Sequence, residues 1–246
     1  MLADDELERY DRQILMPQIG IKGQEKIKQA RVLIAGAGGL GSPVAFYLSA
    51  AGVGTIGIVD RDVVKLSNLN RQIMYRERDV GKAKAISATE RLKELNRGII
   101  VKAINETITE ANVSQILTDF DMVIDATDNL PTRYLLNKAI LRKGIPFFHG
   151  AVYGFEGRAM TIIPGETACL RCVCRGVLPT KKSPILGTTP AVIGCIQATE
   201  AIKYIVGAGE LLKNRLLIYD GLSMSFTELE VKRDPHCEHC GEQKGY

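Results

Sequence analysis

A chain of 246 residues can bury a substantial core as one large domain or two small ones, and 46% hydrophobic with 24% charged residues excludes a disordered or fibrous polymer. The net charge of +4 is spread along the chain without a basic block, which argues against a nucleic-acid partner, and no apolar run is long enough to span a bilayer. The opening MLADDELERYDRQ is acidic where a secretory signal would be basic and then apolar, so the expected compartment is cytoplasmic, where six cysteines point to metal binding or chemistry.

Residues 5–29 place apolar positions at helical spacing, broken by Pro17 and Gly20. That pattern predicts two short helices lying over the rest as an appendage of residues 1–29. RVLIA then reads as a buried strand, GAGGLG as a turn, and the residues from about 40 to 51 as an apolar helix, followed by a strand at TIGIVD. Helices over about 82–96, 110–118 and 130–143 alternate with strands at IVKAI, MVIDAT and IPFFHG. Such alternation predicts an α/β, Rossmann-like, largely parallel sheet covered on both faces. After Gly150, VYGFEGRAMTIIP reads as strands joined by a tight turn, so antiparallel strands are expected to continue the sheet. A cysteine-rich loop follows, and then a helix with Thr189 as N-cap and Pro190 at its first position. LLIYDGLSMSFTELEVKRD closes the fold as a strand pair. Without repeat or linker, one domain is expected over 1–246, with a nucleotide-binding half at 30–150 and a second half at 151–246 ending in a zinc-bound tail.

Gly36, Gly38, Gly39 and Gly41 lie between a strand and a helix, where missing side chains let backbone amides reach phosphate oxygens. Asp60 ends the second strand 19 residues after Gly41, placed to accept hydrogen bonds from a ribose. An NAD-dependent oxidoreductase would show the same features. The segment DRDVVKLSNLNRQIMYRERDVGKAKA separates the two, being too polar and basic for an ordinary second connection of a dinucleotide fold. Asn68, Asn70, Arg71, Gln72 and Lys84 offer the donors that transfer chemistry on a triphosphate needs. Asp128 in ATDN closes another parallel strand, where it could hold magnesium or cap the following helix. Arg133 and Asn137 on that helix read as surface residues.

Cys169 and Cys172 form one CxxC, and Cys237 and Cys240 another. Two such pairs suit a tetrahedral zinc ion, with redox disulfides as the alternative. Cys195, inside an apolar helix, reads as a buried inert thiol, and Cys174 is open between structural filler and reactive thiol.

Taken together, GAGGLG, Asp60 and Asp62, SNLNRQ, VGKAK and ATDN resemble the ubiquitin-activating-enzyme superfamily, in particular its MoeB/ThiF type, with likeness running from RYDRQ to the final CEHC. The resemblance implies that ATP adenylylates the C-terminal Gly-Gly carboxylate of a ubiquitin-like sulfur-carrier protein in molybdopterin, thiamine or related sulfur transfer, with a possible sulfur-donor protein. It makes residues 151–246 the carrier-binding half. It assigns Asp60 to the ribose, Asp62 to the polar wall, Arg71 and Lys84 to the phosphates, Asn68 and Gln72 to their surroundings, and Asp128 to magnesium. It also matches Arg12 with an arginine inserted into the partner subunit's ATP site, which implies a homodimer. Some relatives carry a nucleophilic cysteine just before the helix that here contains Cys195, but RGVLPTKKSPILGTTP has none, which favours adenylation without a thioester. A non-catalytic zinc-stabilised scaffold is the remaining alternative, and intact Arg71, Lys84 and Asp128 argue against it.

Overall fold

The computed structural model describes residues 1–174 and 184–241. Short runs rich in β-branched residues form β1 (Arg31–Ala35), β2 (Thr55–Val59), β3 (Ile100–Ile104) and β4 (Met122–Asp125), which with β5 (Phe147–Tyr153) pair in parallel. β6 (Glu156–Ile162), β7 (Arg215–Asp220) and β8 (Ser225–Glu230) continue the same sheet antiparallel, in the order β3-β2-β1-β4-β5-β6-β7-β8. The expected mixed sheet is therefore present. The expected division at 150 falls inside β5, because the strand runs past Gly150 to turn at Gly154.

Side chains alternate across the sheet, so β1 to β7 feed two cores, while every residue of β8 is exposed. Val32 and Ile34 join Ile56, Ile58 and Phe148 on one face, under α3 (Gly20–Gln29), α4 (Gly41–Ala50), α5 (Lys84–Leu95) and α9 (Thr188–Val206). Leu33, Val123 and Phe147 meet α6 (Val113–Leu117), α7 (Leu130–Lys143) and α8 (Leu170–Val173) on the other. No helix among the described residues is long and apolar enough to cross a membrane.

Three helices, not two, precede the sheet: α1 (Asp4–Arg9), α2 (Asp11–Ile14) and α3. The extra break is at Tyr10, which turns inward to 4% exposure and accepts a hydrogen bond from Asn96 Nδ2 at 2.9 Å. Its ring lies on Gly52, where a Cβ would stand 2.4 Å from Tyr10 Cζ. α6 is shorter than expected, since Asn112 Oδ1 accepts from Thr109 N–H and closes a turn ahead of the helix. α9 starts at Thr188 with Gly187 as N-cap, and Thr189 does not cap it. The Thr189 hydroxyl donates instead to Gly154 O at 3.0 Å, a tertiary bond that outcompetes the local one.

Candidate functional site

Strand order reverses between β1 and β4, and an open α/β sheet binds ligands in the crevice beyond such neighbouring strand ends. The glycine turn leaves β1 and residues 126–129 leave β4, so both border that crevice. Gly36 has φ 104°, and a Cβ there would stand 2.5 Å from Ala126 O; at Gly41 it would stand 2.0 Å from Gly36 O. These two glycines let backbones touch. Gly38 differs, because among the described residues a Cβ there would meet only Gln72 Nε2, at 3.8 Å. Its backbone is open toward the crevice, with the N-terminus of the ten-residue α4 just beyond.

Asp60 knits this turn to the next connection. Its Oδ2 accepts the Ala37 N–H at 2.9 Å and its Oδ1 the Asp62 N–H at 2.8 Å. Lys84, the first residue of α5 and 6% exposed, reaches Asp62 Oδ2 at 3.3 Å and Asp60 Oδ2 at 4.0 Å. Tyr75, which the sequence reading passed over, donates its hydroxyl to Ala37 O at 2.8 Å. Burial, then the carboxylates of Asp60 and Asp62, push its phenol far above the usual range, so it serves as a fixed donor. Asn68 Oδ1 accepts the Lys65 N–H at 3.0 Å and closes the 3-10 turn Leu66–Asn68. Arg71 is half-buried, donating from Nη1 to Ser67 O and Asn70 Oδ1 at 2.9 Å each, and Gly39 lies against its stem. Gln72 is buried beside Gly38, its Oε1 unpartnered among the described residues. The expected Gly36, Gly38, Gly39, Gly41, Asp60, Asp62, Asn68, Arg71, Gln72 and Lys84 thus gather around one turn, offering amides and cations suited to phosphates.

At the end of β4, Asn129 Oδ1 accepts the Thr132 N–H at 3.0 Å and caps α7. The capping role considered for Asp128 is therefore filled by its neighbour, and the exposed Asp128 carboxylate receives a 3.4 Å hydrogen bond from Asn129 Nδ2. Arg133 and Asn137 are not surface residues: they are 7% and 0% exposed, because the α7 face they share turns onto the sheet and the cysteine cluster. Arg133 Nη2 donates to Thr127 O at 2.6 Å and Gly150 O at 3.0 Å, and its Nε forms an ion pair with Asp125 Oδ2 at 3.3 Å. Asp125, fully buried, accepts from Thr127 N–H at 3.1 Å, Thr127 Oγ1 at 2.7 Å and His149 Nδ1 at 2.7 Å. On the opposite face Gln197 Nε2 donates to Asp125 O and Phe148 O at 2.8 Å each, its carboxamide lying flat on Gly150. The sequence reading missed this network; its one signal is an acid ending the apolar run MVID.

Burial opposes charge on Asp125, yet the Arg133 guanidinium and the hydrogen bonds from His149 and Thr127 hold its carboxyl below the usual aspartate range. Burial likewise holds His149 below its ordinary 6.5 despite the Asp125 hydrogen bond, so the ring is neutral and donates from Nδ1. As pH drops below about 6.5 the unfolded chain protonates this histidine before the folded chain does, and below about 3.8 the same holds for Asp125. Both groups therefore make stability fall with falling pH. Thermal melting should show Tm declining from about pH 6.5 downward, and a Tm that rises over that range would contradict these charge states.

The four sulfurs of Cys169, Cys172, Cys237 and Cys240 lie within 4.8 Å of one another, with contacts of 3.9, 3.6 and 3.5 Å. A tetrahedral ion with thiolates at ~2.3 Å sets its sulfurs ~3.8 Å apart, so the cluster fits a four-coordinate metal. One pair comes from the start of α8, the other from the chain after β8. Asn137 Oδ1 accepts the Leu170 N–H at 3.0 Å and its Nδ2 stands 2.8 Å from His239 Nδ1, tying α7 to both halves. His239 packs edge-on against Tyr134, with ring centroids 5.6 Å apart.

Arg12 is exposed on α2. Its neighbours Tyr10 and Gln13 dock on Gly52 and Ala51, at the C-terminal end of α4. Ten residues at ~1.5 Å separate that end of α4 from the glycine turn by about 15 Å, so α2 docks at the end of α4 remote from the turn. Cys174 and Cys195 are both half-buried, and burial pushes both thiols up. Residues 175–183 of the loop RGVLPTKKSPILGTTP lie outside the described residues.

Residues 10–239 match the ThiF family. The chain is 44% identical over 250 residues to the sulfur carrier protein adenylyltransferase of Thermus thermophilus, covering 97% of this chain and 92% of that protein. It is 43% identical over 243 residues to the SAMP-activating enzyme E1 of Haloferax volcanii, covering 96% and 90% respectively. Among solved structures it is similar to E. coli MccB with ATP, with a TM-score of 0.86 and 25% identity over 95% of this chain and 75% of that one. The match takes in the glycine turn, the basic segment after Asp60, the ATDN strand end and three of the four clustered cysteines, and the chain belongs to the ThiF family.

Proposed function

We propose that this chain is an adenylyltransferase that joins the C-terminal Gly-Gly carboxylate of a ubiquitin-like sulfur-carrier protein to AMP, releasing pyrophosphate. The convergence of open Gly38 amide backbone, Gln72, Arg71 and Lys84 at the strand-order reversal carries the reading. A carboxylate attacking an α-phosphate brings two anions together, and such a site must cancel several negative charges at once. Hydride transfer from a nicotinamide has no such requirement, and the Thermus thermophilus relative bears an adenylyltransferase name.

In this reading Asp60 accepts from the ribose and Asp62 forms the polar wall. Arg71 and Lys84 neutralise the phosphates, beside Asn68 and Gln72. Asp128, exposed and free of capping duty, would hold magnesium, which supplies further charge neutralisation when bound. The four cysteines would hold a structural zinc ion. Large apolar side chains stand exposed along the last strand pair at Leu222, Met224, Phe226 and Leu229, which supports residues 151–246 as the carrier-binding half of one adenylation domain. We place the reaction in the cytoplasm, with molybdopterin, thiamine or related sulfur transfer as its context and a sulfur-donor protein downstream.

The two kinds of glycine should separate in mutagenesis. Gly41→Ala sets a Cβ 2.0 Å from Gly36 O and should cost about 3 kcal/mol of stability. Gly38→Ala meets nothing closer than 3.8 Å, so it should melt like wild type while binding ATP poorly by calorimetry. Normal ATP affinity in folded Gly38→Ala would remove this turn from the nucleotide site.

Because α2 docks at the end of α4 remote from the glycine turn, the proposed role of Arg12 requires a homodimer. Arg12→Ala and Asp128→Ala proteins should each be inactive, and mixing them after exchange of subunits should restore about a quarter of wild-type adenylation, from one intact site in each mixed dimer. No recovery from demonstrably mixed dimers would place Arg12 outside the active site.

A further inference from the structure

Among the described residues Asp128 makes only an exposed 3.4 Å hydrogen bond with Asn129, so its position is inherited from its neighbours. Thr127 before it is held at every polar backbone and side-chain atom: N–H and Oγ1 donate to Asp125 Oδ1 at 3.1 and 2.7 Å, and its carbonyl accepts from Arg133 Nη2 at 2.6 Å. Asn129 after it is fixed as the α7 cap. Asp125 is itself fixed because its second oxygen accepts from His149 Nδ1 at 2.7 Å, across the register pair Asp125↔His149 that joins β4 to β5. Arg133 spans the same two strand ends through Gly150 O, and Gln197 closes them from the opposite face. A fully buried carboxylate with this many donors is costly to assemble unless every partner is in place. None of these groups is needed to close the sheet: β4 already pairs with β1 and β5 through its backbone.

We propose that His149, Asp125 and Arg133 are positioning residues that fix the 127–129 backbone and so aim the Asp128 carboxylate into the crevice. The inference rests on the reading of Asp128 as the magnesium carboxylate. Loss of a group hydrogen-bonded directly to a metal ligand typically weakens binding ~10–100-fold. These residues act through the Thr127 backbone rather than on Asp128 itself, so they belong at the low end of that range. The effect belongs on magnesium dependence rather than on nucleotide recognition, since among the described residues the glycine turn meets this strand end by packing of Gly36 on Ala126 and Thr127, and the side-chain hydrogen bonds of Asp60 and Lys84 stay within the turn and the 60–84 segment.

The test uses full-length protein and a fluorescent ATP analogue, with binding read by anisotropy while magnesium is titrated, and with melting curves to show that each variant is folded. His149→Leu should raise the magnesium concentration for half-maximal binding by ~10-fold while binding at saturating magnesium stays within about twofold of wild type. His149→Asn, which can donate to Asp125 from nearly the same place, should recover most of the loss. Thr127→Val, isosteric and lacking only the hydroxyl, should shift magnesium dependence in the same direction by a smaller factor. A folded His149→Leu with wild-type magnesium dependence overturns the proposal, and if that variant does not fold, Thr127→Val with wild-type dependence does so. Asp128→Ala is measured alongside. Retained magnesium dependence there defeats the reading of Asp128 and the proposal with it, whereas its loss there alone defeats only the positioning role.

Discussion

Asp128→Ala is expected to lower carrier-dependent adenylate formation by about 10²–10³-fold, the usual loss when one element of charge stabilisation leaves a transition state. The same substitution should leave the fold unchanged. The carboxylate is exposed, Asn129 rather than Asp128 caps α7, and its one hydrogen bond among the described residues is a 3.4 Å contact at the surface. Surface changes of that kind stay within about 0.5 kcal/mol, so thermal melting should match wild type. Asp128→Asn, which keeps the shape and removes the charge, should lose nearly as much activity. Quantifying pyrophosphate release separates the outcomes: a variant within about twofold of wild type would remove Asp128 from the account as the magnesium carboxylate.

Breaking the cysteine cluster should act on the opposite property. Cys237→Ser removes one of the four proposed ligands, so the variant should lose the metal and loosen the chain after β8 from α8. Structural zinc sites contribute binding free energy directly to folding, and even ~4 kcal/mol lost corresponds to about 10 °C in Tm for a chain of this size. The consequence should spread to the nucleotide site. Asn137 ties the cluster to α7 through Leu170 and His239, and α7 carries Arg133 one turn toward the crevice. Zinc content by elemental analysis should be one ion per chain in wild type and near zero in Cys237→Ser, with a fall in Tm on the order of 10 °C. A variant that loses the metal and melts unchanged would mean the cluster does not hold the fold together.

Local chemistry was legible where it depends on a fixed spacing. The glycine turn, Asp60 and the two CxxC pairs each sit within a few residues of their partners or follow a strand-helix period, and the structure gathers them as expected. Thr189 misled because a hydroxyl before a proline is a good local cap, whereas Gly154 O, far away in sequence, offered a better partner. Tyr10 broke the expected first helix for the same reason, drawn inward by Asn96 and Gly52. Arg133 and Asn137 read as surface residues because charged and amide side chains on a helix usually are. What buries them is Asp125, the β5 carbonyl of Gly150 and the cysteine cluster, which only the β4–β5 register and the docking of α7 bring near. No periodicity in one sequence links positions 125, 133 and 149.

The whole account stands on ATP–pyrophosphate exchange catalysed by the purified chain with magnesium and a Gly-Gly-ended carrier protein. Exchange should require all three, and should vanish when the carrier lacks its last glycine or when Lys84, buried between Asp60 and Asp62, is replaced by methionine. Exchange that proceeds equally well without any carrier, or none at all from folded, metal-loaded protein with its cognate carrier, would contradict it.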